Sequence, residues 1–405
     1  MLKPTEVAPG HTVQLLSGGA EFFPALLGAM DSARHEIRLE TYIFDFRGQG
    51  AAIAEALARA ALRDVAVFVV MDGVGTPEVP AEWISRWNHS GVQWHRYAPF
   101  GYAGLLIPGR WRRLHRKLCV VDGSRAFCGG INILDDWIDP HFGALAVARL
   151  DYAVVVTGPL VSQCHEVLAQ FWARLQATRQ LETLQWAAVR KNWGALRWLP
   201  SRKEAGTLAS ELEEGVLAAL LLRDNVRNRT RIERSYLKAI GEARQHIVLA
   251  NAYFLPGGRL RRALIHAVRR GVHVQVVVQG QYEYFMQYHA SRPVLGQLAA
   301  HGVEVCEYMP GFLHAKVAVM DGVWATVGSS NLDPLSLLLA REANVVVHDA
   351  GFAARLGGAL EGVIRAHTRP WDVAADLRRP WFQRLFDRIA YGAMRLILLI
   401  SGRRY

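Results

Sequence analysis

The sequence predicts an α/β protein made of two tandem copies of one domain, which face each other across a shared cleft about a pseudo-twofold axis, plus an amphipathic C-terminal helix. Three observations predict it: an internal repeat, helical stretches alternating with short β-branched runs inside each copy, and apolar residues at helical spacing after Pro380.

The repeat is read by laying the halves together. Ala33 to Leu39 (ARHEIRL) echoes Ala243 to Leu249 (ARQHIVL) at an offset of 210 residues. Arg63 to Val70 then matches Arg270 to Val277, and Gly91 to Trp94 matches Gly302 to Val305, in the same order. A period near 200 residues is far too long for a solenoid unit, so it denotes fused domains, with a cleft expected between them.

Within each copy, helix-like stretches at Ala51 to Leu62 and Arg259 to Arg270 alternate with apolar runs at Val65–Val70, Leu118–Val121, Val272–Val278 and Val317–Met320. That order predicts a mainly buried central sheet. We place the first copy at 1–175, a linker at 176–212, the second copy at 213–368 and a basic tail at 369–405.

The linker interleaves Trp186, Trp193 and Trp198 with Arg190, Lys191, Arg197, Arg202 and Lys203. This composition suits contact with a membrane interface and suits an ordinary amphipathic connector equally well. In the tail, Phe382, Leu385, Phe386, Ile389, Ala393, Leu396, Ile397 and Ile400 recur at helical spacing, and eight Arg against three Asp give it a charge of +5. A helix lying in an anionic membrane surface is expected, the alternative being a helix packed on its own protein. No apolar stretch reaches the roughly 18 residues that span a bilayer.

Composition narrows the partners. A hydrophobic content of 51% supports a sizeable core, and a net charge of +11 calls for a polyanionic partner, either nucleic acid or an anionic membrane. Cys119, Cys128, Cys164 and Cys306 have neither CxxC spacing nor disulfide density, so they read as buried small hydrophobes. The first 19 residues lack the layout of a secretory signal, which places the expected site of action on the cytoplasmic side.

Only six of the 47 basic residues are Lys, and two of those six fall in a paired motif. His115-Arg116-Lys117 is followed by Asp122 and Asn132; His314-Ala315-Lys316 is followed by Asp321 and Asn331, with Asn ten residues after Asp in both. On a strand, residues two apart share a side, so His and Lys both face one phosphate while the intervening residue faces away. Two imidazoles and two ammonium groups then surround one phosphodiester, with Asn132 and Asn331 as further donors to its oxygens. This neutralises charge without a metal ion, and neither metal nor cofactor is expected. One His can attack phosphorus while the other protonates the leaving alkoxide, giving a phosphohistidine intermediate. Asp122 and Asp321 are candidates to accept an imidazole N–H and fix its tautomer.

The paired His-x-Lys-x4-Asp motif is the signature of the phospholipase D superfamily, and the resemblance runs from about Thr12 to His367. Glu40 to Phe44 (ETYIF), Asn251 to Gly257 (NAYFLPG), Ala325 to Leu337 (ATVGSSNLDPLSL) and Glu342 to Val345 (EANV) resemble bacterial cardiolipin synthases, most of all the B group, which lacks the paired N-terminal transmembrane helices of the A type. The resemblance implies two tandem phospholipase D-type domains. It implies transfer of a phosphatidyl group from one phosphatidylglycerol, or in some relatives phosphatidylethanolamine, to the terminal hydroxyl of another phosphatidylglycerol, with release of glycerol. It also implies His115 as nucleophile, His314 as acid/base, and Glu342 and Asp151 as residues that orient the catalytic His or Lys. A peripheral protein of the bacterial inner membrane is the expected setting.

The alternative is a phosphodiesterase that hydrolyses phospholipids or nucleic acid. Phe100 to Arg113, inserted only in the first copy, is apolar and then basic, fitting either a loop that dips into lipid or a folded hydrophobic lid. This loop and the apolar tail favour phosphatidylglycerol and an anionic membrane over nucleic acid as partners.

Overall fold

The structure is a computed structural model, and it describes residues 7–99, 112–140, 142–182, 215–224, 228–333 and 340–400, with the side chains at 180–182, 377 and 396–400 left aside. The expectations for the loop at 100–111, for the linker beyond 182, for Pro334–Leu337 of the cardiolipin synthase-like segment and for the side chains of Leu396–Ile400 lie outside the described residues.

In the first copy, β1 (Ala8–Ser17), α1 (Gly18–Asp31), β2 (Glu36–Thr41), α2 (Gly48–Leu62), β3 (Ala66–Asp72), α3 (Ala81–Ser90) and β4 (Gln93–Tyr97) precede β5 (Arg113–Leu114), β6 (Leu118–Val121) and β7 (Arg125–Gly129). A small pair, β8 (Ile138–Asp139) and β9 (Gly143–Ala144), then leads to β10 (Tyr152–Thr157) and α4 (Leu160–Glu182), a helix that runs past the boundary expected at 176. The second copy repeats the order with β11 (Val216–Arg223), α5 (Arg231–Glu242), β12 (His246–Asn251), α6 (Gly258–Arg269), β13 (His273–Gln279), α7 (Phe285–Ala300), β14 (Glu304–Tyr308), β15 (Lys316–Met320), β16 (Trp324–Gly328), β17 (Ala340–His348) and α8 (Ala350–His367). After it come β18 (Thr368–Pro370), α9 (Val373–Arg378) and α10 (Trp381–Ile400).

The hydrogen-bonded strand order is β4-β3-β2-β6-β7-β10-β1 for one copy and β11-β17-β16-β15-β12-β13-β14 for the other. The halves mirror each other and are joined through β1 and β11, so the sheets of the two copies form one continuous mixed sheet. Pairs β2–β3–β4 and β12–β13–β14 are parallel because a helix returns the chain between them, while the β6–β7 and β15–β16 turns make antiparallel hairpins.

Three apolar layers follow. One core mixes both copies, placing Leu118, Val120 and Cys128 with Val317, Val319, Ala343 and Val345, and helices α4 and α8 contribute to it. The outer faces of the sheet are covered separately, by α1–α3 on the first copy and by α5–α7 with α10 on the second. Strands buried on both faces explain the unbroken apolar runs of the sequence. All four cysteines are buried and free.

The tail helix packs on its own protein along one face. Asp387, Ala390 and Met394 are buried, and the Asp387 carboxylate meets His289 Nδ1 of α7 at 2.6 Å. The opposite face exposes Trp381, Phe382, Leu385, Phe386 and Ile389, with Trp381 at 76%.

Candidate active site

Each His-x-Lys segment enters the site by leaning on the other copy. The strand fragment β5 pairs in parallel with the start of β17, and His115 N–H donates to the Arg341 carbonyl at 3.0 Å. In the mirror position, Leu150 bridges Leu313, and His314 N–H donates to the Leu150 carbonyl at 2.8 Å. Arg341 and Leu150 immediately precede Glu342 and Asp151, so the backbone pairing that seats each His also delivers a carboxylate to its ring.

The side chains complete the crossing. His115 Nδ1 lies 3.1 Å from Glu342 Oε2, and His314 Nδ1 lies 2.6 Å from Asp151 Oδ2. Both carboxylates are almost wholly buried, whereas the imidazoles keep 14% and 17% of their side-chain surface. A carboxylate on Nδ1 selects the Nδ1–H tautomer and leaves the Nε2 lone pair on the opposite edge of each ring. Ser329 Oγ donates to Glu342 Oε2, while Gly130, at the same place in the first copy, has no room for a side chain, since a Cβ there would overlap the Asp151 carboxylate.

Lys117 and Lys316 are buried, and each ammonium donates to the carbonyl of its own motif's His. Burial lowers Lys117 to about 7, with Glu342 opposing and Lys316 reinforcing the fall. Lys316 falls to about 8 for the same first reason, against Asp151 and Glu342. Burial raises Asp151 to about 7 against the pull of Lys316. Burial and the two lysines hold His314 well below its ordinary range, and burial outweighs Glu342 in lowering His115. Groups of both motifs therefore act on one another in one largely buried site, where two ammonium groups stand among two carboxylates and two imidazoles.

The intervening residue of the first motif faces away, as the pleat requires. Arg116 forms a buried pair with Glu40 at 2.7 Å, where the second copy has Ala315 and Ala250. Asn132 Oδ1 accepts from Ile43 N–H at 3.1 Å, which leaves its NH2 end for a ligand oxygen. Asn331 is buried, and its Oδ1 has no partner among the described residues.

Asp122 and Asp321 correct an expectation: neither touches an imidazole. Asp122 accepts the N–H groups of Arg34, His35 and Glu36 at 2.8 to 2.9 Å; Asp321 accepts those of Arg244, Gln245 and His246 at 2.7 to 2.9 Å. Burial works to raise both carboxyls, but these backbone donors more than offset it and hold them below the usual range. The physical reason is distance along the strand: His and Lys sit at one end of β6 or β15, and the Asp sits beyond the other, in a turn with φ near +50°. There it clamps the start of β2 or β12.

Two positioning residues escaped the sequence reading. Asp72 Oδ2 accepts the N–H of Leu114 at 2.7 Å, and Gln279 Oε1 accepts the N–H of Leu313 at 2.7 Å, each holding the residue before a motif His. The signal was present: both copies end an apolar strand on a polar residue followed by Gly, as Asp72-Gly73 and Gln279-Gly280.

The family model described as "Cardiolipin synthase, PLD-like domain" matches residues 26–172 and 236–363, one segment in each copy. The chain belongs to the cardiolipin synthase family of PLD-like proteins. Cardiolipin synthase B of Escherichia coli K12 is 36% identical over 395 residues, covering 97% of this chain and 90% of its own length. Cardiolipin synthase A of Pseudomonas putida is 31% identical over 343 residues, covering 85% of this chain and 66% of that protein. The fold matches the crystal structure of phosphatidylserine synthase from Haemophilus influenzae with a TM-score of 0.68 at 14% identity, over 98% of this chain and 97% of the other. Polyphosphate kinase of Porphyromonas gingivalis shares the fold more loosely, at a TM-score of 0.56 and 15% identity, over 95% of this chain and 53% of its own.

Proposed function

We propose that this member of the family is a cardiolipin synthase that moves a phosphatidyl group from one phosphatidylglycerol to the terminal hydroxyl of another at an anionic membrane surface. The observation that carries the reading is the crossed pair of His–carboxylate contacts. It turns both imidazoles so that one Nε2 can attack phosphorus while the other handles the proton.

In the first half-reaction His115 Nε2 attacks phosphorus, the bond to the glycerol oxygen breaks, and His314 Nε2–H protonates that oxygen. In the second, the hydroxyl of the incoming lipid gives its proton to His314, its oxygen bonds to phosphorus, and the P–N bond to His115 breaks. His314 must carry a proton to begin. Burial and the lysines hold it well below its ordinary range, and the bound phosphodiester anion supplies a negative charge that favours its protonated form. Lys117, Lys316 and the amides of Asn132 and Asn331 hold the phosphoryl oxygens. Glu342 and Asp151 fix the tautomer and stabilise each imidazolium.

Membrane contact is assigned to the exposed face of α10, whose Trp381, Phe382, Phe386 and Ile389 stand beside the tail's arginines. No helix among the described residues is long and apolar enough to cross a bilayer.

Purified protein incubated with phosphatidylglycerol vesicles should yield cardiolipin and free glycerol. Phosphatidic acid as the sole product would make it a hydrolase. Vesicles that also contain phosphatidylethanolamine test the second donor, and release of ethanolamine identifies it. His115→Ala and His314→Ala should each lower turnover by roughly 10³ or more.

A further inference from the structure

Beside the second motif lies an open cavity, between the ends of β12 and β13 and the helices α7 and α10. Its polar wall carries Tyr253, Gln279, Gln281 and Glu283, and no lining residue is a Lys, Arg or His. The Tyr253 hydroxyl donates to Glu283 Oε2 at 3.0 Å. Gln279 spends its oxygen on Leu313 N–H, while its Nε2 is buried without a partner among the described residues. Asp333, Gln287 and Ser291 add further polar groups, and Phe254, Leu295 and Met394 make up much of the apolar wall.

These features define a ligand. A phosphate is excluded by a wall with no cation and two carboxyl groups, Glu283 and Asp333, in it. A fatty chain would leave Glu283 and the Gln279 amide buried against hydrocarbon, which costs more than the apolar contact returns for each unpaired group. A small uncharged polyol satisfies both, because its hydroxyls donate to Glu283 and accept from Gln279 while its carbons lie on the apolar wall. Burial raises Glu283 to about 7, opposed by Tyr253, so its carboxyl both accepts and donates near neutral pH. The cavity is also on the correct side. Gln279 holds the residue before His314, and the Lys316 charge reaches Glu283, so the cavity wall is tied to the second motif.

We propose that this cavity is the alcohol subsite, which binds the glycerol headgroup through Glu283, Tyr253 and Gln279 both as it leaves the donor and as it arrives on the acceptor. The assignment rests on the phosphatidyltransferase reading above and sharpens it: the subsite is what favours a glycerol hydroxyl over water at the phosphohistidine.

The test partitions one intermediate among three acceptors. Phosphatidylglycerol in detergent micelles is supplied with a fixed excess of ethanol, and cardiolipin, phosphatidylethanol and phosphatidic acid are separated. Glu283→Gln should lower the ratio of cardiolipin to phosphatidic acid roughly tenfold while the ratio of phosphatidylethanol to phosphatidic acid holds, because ethanol has no further hydroxyl for the subsite to bind. Tyr253→Phe should move the same ratio in the same direction, and it carries the measurement if the first variant does not fold. Ratios that stay constant, or that fall together, overturn the subsite. So does an unchanged ratio accompanied by a new dependence of KM on acyl length, which gives the cavity to a fatty chain. Wild-type protein that makes only phosphatidic acid, even with ethanol present, overturns the transferase reading and the subsite with it.

Discussion

At the scale of single residues, the two kinds of carboxylate in the motif region do different work and separate by experiment. Asp122→Ala removes the acceptor of three backbone N–H groups at the head of β2. It should destabilise the fold by about 1–2 kcal/mol, read as a lower midpoint in urea, with kcat per folded molecule retained. Since these carboxyls are held low, their contribution is present in full above the ordinary Asp range and is lost as pH falls from there through their lowered folded-state values. Asp151→Asn should instead leave stability near wild type and cut kcat by roughly 10²–10⁴, because His314 loses its tautomer and its counter-charge. The pH profile of kcat/KM should be bell-shaped. Asp151 must be ionised, so activity climbs as pH passes about 7, and Lys117 and Lys316 must be charged, so it falls above about 7 to 8. The groups interact, so the limbs belong to the cluster as a whole, and a flat profile from pH 5 to 9 would contradict it.

At the scale of elements, the site depends on strand ends that cross between copies. Gly130, the residue after β7, lets the chain pass against the carboxylate of Asp151, the residue before β10. Gly130→Ala should push that carboxylate off His314 and reduce kcat by at least tenfold with KM changed far less, while circular dichroism stays native. The equivalent Ser329 tolerates a side chain because its hydroxyl donates to Glu342. The strand positions of His and Lys were legible from the repeat and the pleat. The ends of β3 and β13 were not, because Asp72 and Gln279 act on backbone N–H groups about 34 to 42 residues away.

At the scale of the whole molecule, α10 joins two surfaces. Its buried face holds Met394 in the wall of the cavity and Asp387 against His289, so truncation would disturb the site itself. Replacing Trp381, Phe382 and Phe386 with Ser touches only the exposed face. This variant should lose roughly tenfold or more in binding to vesicles of phosphatidylglycerol, measured by flotation, while turnover of the lipid in detergent micelles stays within about twofold. Equal binding by variant and wild type would remove the helix from the membrane contact.

The sequence by itself determined the duplication, the α/β class and the composite nature of the site, because repeats, apolar periods and a scarce Lys two residues from a His are local patterns. It also marked Glu342 and Asp151, through the family resemblance. Which partner each carboxylate takes was decided only by the tertiary structure. The imidazole–carboxylate contacts join residues 163 and 227 positions apart in sequence, and they exist because each His segment pairs with the other copy's strand. The motif Asp, nearest the His in sequence, is drawn to backbone N–H groups at the far end of its strand.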